Sequence, residues 1–203
     1  MTSMKGTPVV LCASFLCCGA VQAALVPSDD GQAVYDTTND VTWLANANLA
    51  ATKTFGVQGI NPNGSMSWTT AQEWVTAMNA AKYLGSDRWH LPETKLPDDN
   101  CSQMPKSAAF GYGCVGSQMG RLYYEALGGV KGSTIELKHG TGYGLFTNFQ
   151  PYLYWSSTLW TRVPNSAFSF SFGNGFQGTN VFVNAMYALP VIEGRIGFLG
   201  SKP

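Results

Sequence analysis

The sequence predicts a loop-rich domain that contains both β-strands and helices. Three observations favour this fold class: an alternating segment of phenylalanine and serine at 167–172, an amphipathic helical pattern that begins near Ser67, and the overall composition. Of the 203 residues, 13% are aromatic, 12% are charged and 23 are glycine, which is typical of neither a coiled coil nor a disordered chain. A chain of this length favours a single domain.

The segment 167–172 has the sequence A-F-S-F-S-F, a strict alternation with a period of two. In a strand, one face then carries three rings, Phe168, Phe170 and Phe172. Ser169 and Ser171 occupy the other face, and we expect them to be turned away from the core. The G-N-G sequence that follows tolerates positive φ and predicts a hairpin, with residues 176–183 as the returning strand.

Three further strands are predicted nearer the ends of the chain. Val34–Asp36 and Val41–Leu44 are short strand candidates separated by turn-forming residues. Residues 45–65 are polar and aperiodic, so they are predicted to form an exposed loop. Tyr187–Ile192 predicts a closing strand, in which Pro190 cannot donate to a ladder and therefore favours an edge or a bulge.

The clearest helix is predicted over residues 67–85, with the final glycine as its left-handed stop. Thr70 and Glu73 have the spacing of a capping box, in which two side chains satisfy backbone donors of the first turn. Its apolar stripe comprises Ala71, Trp74, Val75, Met78 and Ala81. We expect this helix to cover the phenylalanine face, with Trp74 and Met78 in the core.

A second, shorter helix is predicted over residues 118–127. Its shared apolar face comprises Met119, Leu122, Tyr123 and Ala126. The two glycines that follow are predicted to end it. Residues 95–116, before this helix, are predicted to form a long irregular excursion.

The N-terminus, residues 1–23, is predicted to be a signal peptide. Lys5 precedes an apolar run at 8–20, and Val21–Ala23 fits a small-x-small cleavage site, which leaves 24–203 as one mature domain. Lipidation at a cysteine of this segment is an alternative that its flanking residues fit poorly. No other apolar run is long enough to cross a bilayer, so we expect an exported protein, periplasmic or extracellular, without a transmembrane segment.

The mature chain retains two of the five cysteines, Cys101 and Cys114. An even pair in an exported chain predicts a disulfide, and ligation of a metal by the two thiolates is the alternative. A disulfide that closes a loop of this length stabilises a fold by about 3 kcal/mol in the chain-entropy model.

Several classes of function find no support in the sequence. The net charge is zero, which argues against a broad electrostatic surface for nucleic acid. Only two histidines occur, without the spacing of a zinc site, and no nucleophile elbow or phosphate-binding loop is present, so we expect neither an enzyme nor a metal cofactor. Asp98–Asn100 could supply oxygen ligands to calcium, although acidic loop clusters are usually only solvated.

The candidate ligand site is an aromatic and hydroxyl-rich stretch around residues 152–165. Its proposed members are Tyr152, Tyr154, Ser156, Ser157, Trp160 and Asn165. Aromatic rings stack on the apolar faces of sugars, while hydroxyls and amides bind sugar hydroxyl groups. The alternative is that these rings form part of a packed aromatic core.

An ordered series of motifs resembles a known family. These motifs are Y-D-x-x-x-x-V-T-W-L at 35–44, the helix from residue 68, W-H-L-P at 89–92, Y-W-S-S-T at 154–158 and Y-A-L-P-V at 187–191. They resemble the bacterial family of domains of unknown function typified by the C-terminal domain of the Lcl collagen-like adhesin. The segment M-G-R-L-Y-Y at 119–124 is similar to a subgroup from exported proteins with exosortase sorting tails.

The resemblance implies a C-type-lectin-like α+β domain, with two helices packed on short, mostly antiparallel strands with long loops. For the adhesin it implies binding of sulfated glycans. Two positions depart from the pattern, because His90 and Ile192 stand where the family usually has arginine. The resemblance, the export signal and the aromatic stretch together predict a non-enzymatic binding module for a glycan or cell-surface polymer. The alternatives are a structural or protein-interaction domain of the cell envelope and, less favoured, an enzyme.

Overall fold

The computed structural model describes residues 25–103, 105 and 108–196. Within this part of the chain, seven strands form two antiparallel sheets that are accompanied by two short helices. The observed class is therefore α+β. The predicted signal peptide lies outside the described residues. Among the described helices, none has the length and apolar character needed to cross a membrane.

The first sheet joins the two ends of the described chain in the order β1-β2-β3-β7. Its strands are β1 (Leu25–Pro27), β2 (Ala33–Asp36), β3 (Val41–Leu44) and β7 (Val191–Glu193). Strands β2 and β3 form the predicted hairpin, and the Asp36 carboxylate fixes its turn by accepting from the N–H groups of Thr38 (3.0 Å) and Asn39 (3.2 Å). Strand β1 is an addition to the predicted elements.

The predicted closing strand is shorter than expected. It begins only at Val191, because Pro190 has no N–H to donate. The Pro190 carbonyl instead accepts from Leu44 N–H at 3.3 Å. Before it, Tyr187 bridges to Tyr154 of the second sheet, so this segment connects the two sheets.

The second sheet has the order β4-β5-β6 and contains the predicted hairpin. Its strands are β4 (Leu153–Leu159), β5 (Ser166–Ser171) and β6 (Gln177–Val181). Gly175 adopts φ 79°, and the Asn174 side chain accepts from Phe176 N–H at 3.0 Å, which closes the turn. The register pairs Phe170 with Gln177, as the phenylalanine alternation requires.

Helix α1 spans Trp68–Ala80, close to the predicted position, but its ends differ from the prediction. The N-cap is Ser67, whose hydroxyl accepts from Thr70 N–H at 3.1 Å, so Thr70 is the capped residue and not the cap. The helix ends at Ala80, and Lys82 rather than Gly85 is the first left-handed residue, with φ 47°. The predicted buried face is confirmed for Ala71, Trp74, Val75 and Met78, whereas Ala81, the last predicted member, follows the helix and is exposed.

Helix α2 spans Gln118–Arg121 and continues as a π-helical turn over Leu122–Ala126. The Leu127 N–H donates to the Leu122 carbonyl at 2.9 Å, which is the five-residue spacing of a π-helix. The predicted apolar face is confirmed, because Met119, Leu122, Tyr123 and Ala126 are all buried.

The three phenylalanines of the hairpin are fully buried, as predicted, but helix α1 does not supply their ring partners. The ring of Tyr123, from helix α2, lies 5.5 Å from Phe170 and 6.0 Å from Phe172. Phe168 belongs to a separate small cluster with the two cysteines, where its ring lies 5.5 Å from Trp160. The expected cover by Trp74 and Met78 is therefore corrected: Tyr123 contacts both rings, and Phe149 also contacts Phe172 with ring centroids 4.8 Å apart.

The opposite face of strand β5 is also buried, which the alternation does not predict. Ser169 and Ser171 point away from the phenylalanine rings, yet neither is exposed. Ser169 pairs with Trp155 across the sheet, and its hydroxyl accepts from the Asn180 amide at 2.9 Å. Trp155 in turn donates to the Met66 carbonyl at 3.0 Å, so the segment that leads into helix α1 lies on this side of the sheet.

The predicted disulfide between Cys101 and Cys114 is confirmed. Their Cα atoms are 4.3 Å apart, and both residues are fully buried. The bridge closes the irregular excursion before helix α2 and packs beside Phe168 and Phe110. In this structure the two sulfurs are bonded to each other, and a disulfide sulfur is not the thiolate that the metal alternative requires.

Candidate functional site

The six residues predicted to bind a ligand lie just before strand β4, on the strand and in the turn that follows it. Tyr152 and Trp160 are eight positions apart, which corresponds to roughly 25 Å along a strand. The structure therefore distributes the predicted set over two ends of one strand. The residues at the two ends therefore contact different parts of the protein.

Tyr154 and Ser156 are fully buried, and this corrects their assignment as ligand-facing residues. The Tyr154 hydroxyl accepts from Gln150 N–H at 2.8 Å, and burial raises the pKa of this tyrosine far above its ordinary value. The Ser156 hydroxyl accepts from the Thr94 hydroxyl at 3.0 Å. Both side chains are buried because strand β4 is covered on its two faces. The sequence motif shows which residue types are present but does not indicate that they are buried.

Trp160, Asn165 and Ser157 serve local structure at the far end of the strand. Trp160 is half-buried, and its ring lies 5.2 Å from Phe110. Asn165 adopts φ 52° in the turn before β5, and its carbonyl accepts from Phe182 N–H at 2.7 Å. Ser157 donates its backbone N–H to the Pro92 carbonyl at 2.9 Å. These contacts hold the strand end, and they do not converge on one surface with Tyr152.

Tyr152 lies at the other end and lines a groove, which we call the tyrosine groove. The residues that line it are Asn63, Ser65, Tyr152, Ala185 and Tyr187. Its volume is about 310 Å³. Tyr152 is 53% exposed, whereas Tyr154 is fully buried and Trp160 is half-buried.

The two tyrosines of the groove differ in their exposure and meet edge to face. Their ring centroids are 6.3 Å apart at an interplanar angle of 87°. Tyr187 is nearly buried and also contacts the ring of Tyr154 at 5.5 Å. Burial raises the pKa of Tyr187, so this hydroxyl stays protonated and can donate at neutral pH.

A short polar network forms the opposite wall of the groove. The Asn63 amide donates to the Tyr187 hydroxyl at 3.4 Å. The Asn63 side-chain oxygen accepts from the Ser65 N–H at 3.0 Å and from the Ser65 hydroxyl at 2.8 Å. The Ser65 oxygen accepts from the Asn61 amide at 3.0 Å. These bonds orient amide and hydroxyl groups around the two rings.

The loop that carries Asn63 and Ser65 is fixed at both ends. Gly64 adopts φ 87°, and a side chain there would collide with Asn48, whose amide donates to the Asn63 carbonyl at 2.9 Å. Met66 and Met186 exchange backbone hydrogen bonds of 2.9 and 2.8 Å, which brings this loop against Tyr187. The sequence predicts only an exposed loop here, and the turn-forming run N-P-N-G at 61–64 is the signal that marks a fixed bend.

The chemistry of the groove is that of an uncharged binding surface. None of its five lining residues carries a charge. They also include no pair of titratable groups suited to acid–base or nucleophilic catalysis. The groove can stack a ring against Tyr152 and exchange hydrogen bonds with hydroxyl groups through Tyr187, Asn63 and Ser65.

The carboxylate considered for calcium serves the disulfide loop instead. Asp98 is almost completely buried. One of its oxygens accepts from Asn100 N–H at 3.1 Å, and the other accepts from Gly116 N–H at 2.9 Å. Both oxygens are thus engaged with the loop, whereas the side chains of Asp99 and Asn100 are exposed. The calcium alternative therefore has no support from this carboxylate.

The family model of the Lcl C-terminal domain matches residues 32–192, which is well over half of the chain. No curated protein and no solved structure matches the chain. The matched range includes both helices, all of strands β3 to β6 and every residue of the tyrosine groove. The chain therefore belongs to the Lcl C-terminal domain family.

Proposed function

We propose that this protein is an exported, non-enzymatic module that binds a neutral glycan or a similar hydroxyl-rich polymer in the tyrosine groove. One observation carries the proposal: an exposed tyrosine ring stands beside a second tyrosine and a fixed set of amide and hydroxyl groups, without any charge in the lining. The proposed function requires no cofactor and no nucleic-acid partner.

The first step of binding is stacking of a sugar ring on Tyr152. Half of this side chain is accessible, and its ring meets the Tyr187 ring edge to face. Ordering a tyrosine costs little conformational entropy because it has few rotatable bonds. The exposed face of Tyr152 is thus prepared to receive the apolar face of a sugar.

The second step is recognition of hydroxyl groups by the polar wall. Tyr187 accepts from Asn63 and keeps its own O–H as a donor. The Tyr152 hydroxyl has no partner among the described residues, so it can bind a ligand. Because the Asn63 and Ser65 side chains hold one another, these groups need little reorganisation on binding.

The absence of charge in the lining favours neutral over sulfated ligands. Recognition of sulfate groups uses arginine or lysine, and neither residue lines the tyrosine groove. We therefore expect this domain to differ in preference from the sulfated-glycan binding that the resemblance implies for the adhesin.

Fold, subgroup and location form part of the same proposal. Two helices, two antiparallel sheets and long loops support a C-type-lectin-like arrangement. A buried disulfide is typical of oxidising compartments and, with the predicted signal peptide, supports a periplasmic or extracellular location. The M-G-R-L-Y-Y segment supports the subgroup related to exosortase-sorted proteins.

A glycan array probed with the protein lacking residues 1–23 tests the proposal. We expect binding to neutral glycans, and we expect Tyr152→Ala to weaken it about tenfold through the loss of stacking. Tyr152→Phe should retain most of the binding because it keeps the ring. Leu159→Ala, an exposed residue at the far end of strand β4, is the matched control and should leave binding unchanged. An equal loss in this control would place the glycan elsewhere.

A second candidate function, protein interaction, rests on a different surface. Leu159, Val163, Val181 and Val183 are between 43% and 84% exposed at one end of the sheet β4-β5-β6, where strand β4 ends, strand β5 begins and strand β6 ends. Exposed aliphatic groups beside an edge strand suit a protein partner. An array that shows no binding to neutral or sulfated glycans would favour this candidate. Val183→Glu should then abolish association with the partner without affecting the fold.

A further inference from the structure

A second cavity lies between strand β3, strand β7 and the start of helix α2. The lining residues that matter here are Asn39, Trp43, Gln118, Arg121 and Glu193. Its volume is about 190 Å³, and it shares no lining residue with the tyrosine groove. The proposed glycan function leaves this cavity without a role.

Trp43 lines this cavity and carries a buried donor without a partner among the described residues. Its side chain is 1% exposed, and its Nε1–H has no hydrogen-bond partner in the part of the chain that the structure describes. Other buried tryptophans behave differently: Trp74 donates to the Lys53 carbonyl at 2.8 Å, and Trp155 donates to the Met66 carbonyl at 3.0 Å. A buried donor without an acceptor is unfavourable, so a bound molecule that supplies an acceptor beside Trp43 would be stabilised by this hydrogen bond.

Arg121 supplies positive charge and further donors to the same cavity. Its Nε donates to the Val115 carbonyl at 3.0 Å, and one Nη1 hydrogen bonds with the Asn39 side chain at 2.8 Å. Those two bonds fix the plane of the guanidinium. An arginine has five N–H donors, so the others are available to a carboxylate, which they can bind in a bidentate manner.

Glu193 supplies negative charge to the cavity. Its Oε1 accepts from the Gln118 amide at 2.7 Å and lies 3.9 Å from the Nε2 of His90. The Oε2 atom accepts no hydrogen bond from the described residues and can receive a proton donor from a ligand. An anion alone would be repelled by Glu193, and a cation alone would be repelled by Arg121.

We propose that this cavity binds a small amphoteric molecule of the α-amino acid type. Its carboxylate accepts from Trp43 Nε1 and Arg121, and its ammonium group donates to Glu193. The size agrees, because about 190 Å³ is the space of roughly six water molecules and holds one amino acid but no polymer. The site is independent of the tyrosine groove.

Titration of the ¹⁵N-labelled protein with free amino acids tests this site through the indole N–H signals. The signal lost in Trp43→Phe identifies Trp43. We expect that signal to move downfield as glycine, serine or glutamate is added, while the indole signals of Trp74 and Trp155 stay in place. No movement with any free amino acid would overturn the proposal and leave the cavity to water.

Blocked ligands test the amphoteric requirement. N-acetylglycine lacks the ammonium group and glycinamide lacks the carboxylate, so each should bind about tenfold more weakly than glycine, a factor that corresponds to about 1.4 kcal/mol. Equal binding of acetate and glycine would overturn the role of Glu193. Tyr152→Ala should change none of these affinities.

Variants separate ligand contact from folding. Glu193→Gln keeps the acceptor for Gln118 and removes the charge, and it should weaken glycine binding about tenfold. Glu125→Gln is the matched control, because Glu125 lies 3.9 Å from Arg121 Nε but does not line the cavity. Equal loss in both variants would overturn the proposal. This pair stays informative even if Trp43→Phe fails to fold.

Discussion

The interior of the sheet β4-β5-β6 and the tyrosine groove are built from the same residue types in different surroundings. Tyr154 is fully buried, whereas Tyr152, two residues earlier, is half exposed. Tyr154 pairs with Phe170 on one side and bridges to Tyr187 on the other, but Tyr152 precedes the strand. The contrast teaches that contacts from distant segments, and not aromatic composition, decide whether a ring belongs to the core or to a surface.

The largest expected effect separates the two regions by stability. Phe170→Ala should lower the free energy of unfolding by about 3–5 kcal/mol, because it empties a site enclosed by Tyr123 and Phe172. Tyr152→Ala should lower it by about 0.5 kcal/mol or less, as for other surface positions. Denaturant unfolding measures both. Equal losses would show that Tyr152 is a core residue and would remove it from the proposed binding surface.

Removal of the disulfide should be the next largest effect and should be confined to the far end of the sheet. Cys101→Ser with Cys114→Ser should lower the free energy of unfolding by about 3 kcal/mol. Glycan binding should survive, because the bridge packs beside Phe168 at the Trp160 end of strand β4. Thiol titration of the unreduced protein should find neither cysteine. Loss of binding in a folded double variant would contradict the separation of the two ends.

A pair of conservative substitutions compares the two tyrosine hydroxyls directly. Tyr154→Phe should cost about 1–3 kcal/mol of stability, because the partly buried N–H of Gln150 loses its acceptor. Tyr152→Phe should be nearly neutral, since its hydroxyl has no partner within the described residues. Unfolding curves of the two variants, recorded under the same conditions, give the difference. A neutral Tyr154→Phe would mean that water replaces the lost hydroxyl.

Alkaline pH should lower the free energy of unfolding gradually. This is the smallest of the expected effects, because it is absent near neutral pH. Burial raises the pKa of Tyr123 from 10.0 to about 12. Between these values the unfolded chain binds fewer protons than the folded chain, so the free energy of unfolding falls as the pH rises from 10 to about 12 and is unaffected below this range. Denaturant midpoints across this range test the slope. Burial raises the pKa of Tyr154 and Tyr124 as well, so Tyr123→Phe should reduce the slope without abolishing it. An unchanged slope would assign the whole effect to the other tyrosines.

The elements with strong local patterns could be predicted from the sequence. The phenylalanine alternation and the G-N-G turn predict the β5-β6 hairpin, because strand period and turn chemistry are both local properties. The apolar stripes predict the buried faces of both helices for the same reason. Cysteine number and export predict the disulfide without any knowledge of the fold.

The candidate site could be predicted only in part, because it is assembled from three distant segments. The aromatic stretch around Tyr152 predicts this residue as a candidate. Asn63 and Ser65 could not be predicted, because the backbone hydrogen bonds between Met66 and Met186 bring their loop to the site. The same nonlocal packing buries Tyr154, which no residue pattern near it indicates. The N-cap of helix α1 shows that even a local feature can be ambiguous in the sequence. Ser67 and Thr70 both have a hydroxyl at a suitable spacing, and only the backbone geometry selects between them.

The pairing of β3 with β7 has a consequence for the order in which the chain can fold. Thr42 and Gly194, joined by a hydrogen bond of 2.8 Å at this seam, are 152 positions apart. During vectorial synthesis or translocation, the first sheet must wait for nearly the whole domain to emerge before its fourth strand is added. Such late closure disfavours rapid folding, because contacts between distant segments form slowly. A chain cut before Val191 would keep strand β3 as an open edge and expose its buried side chains to proteases.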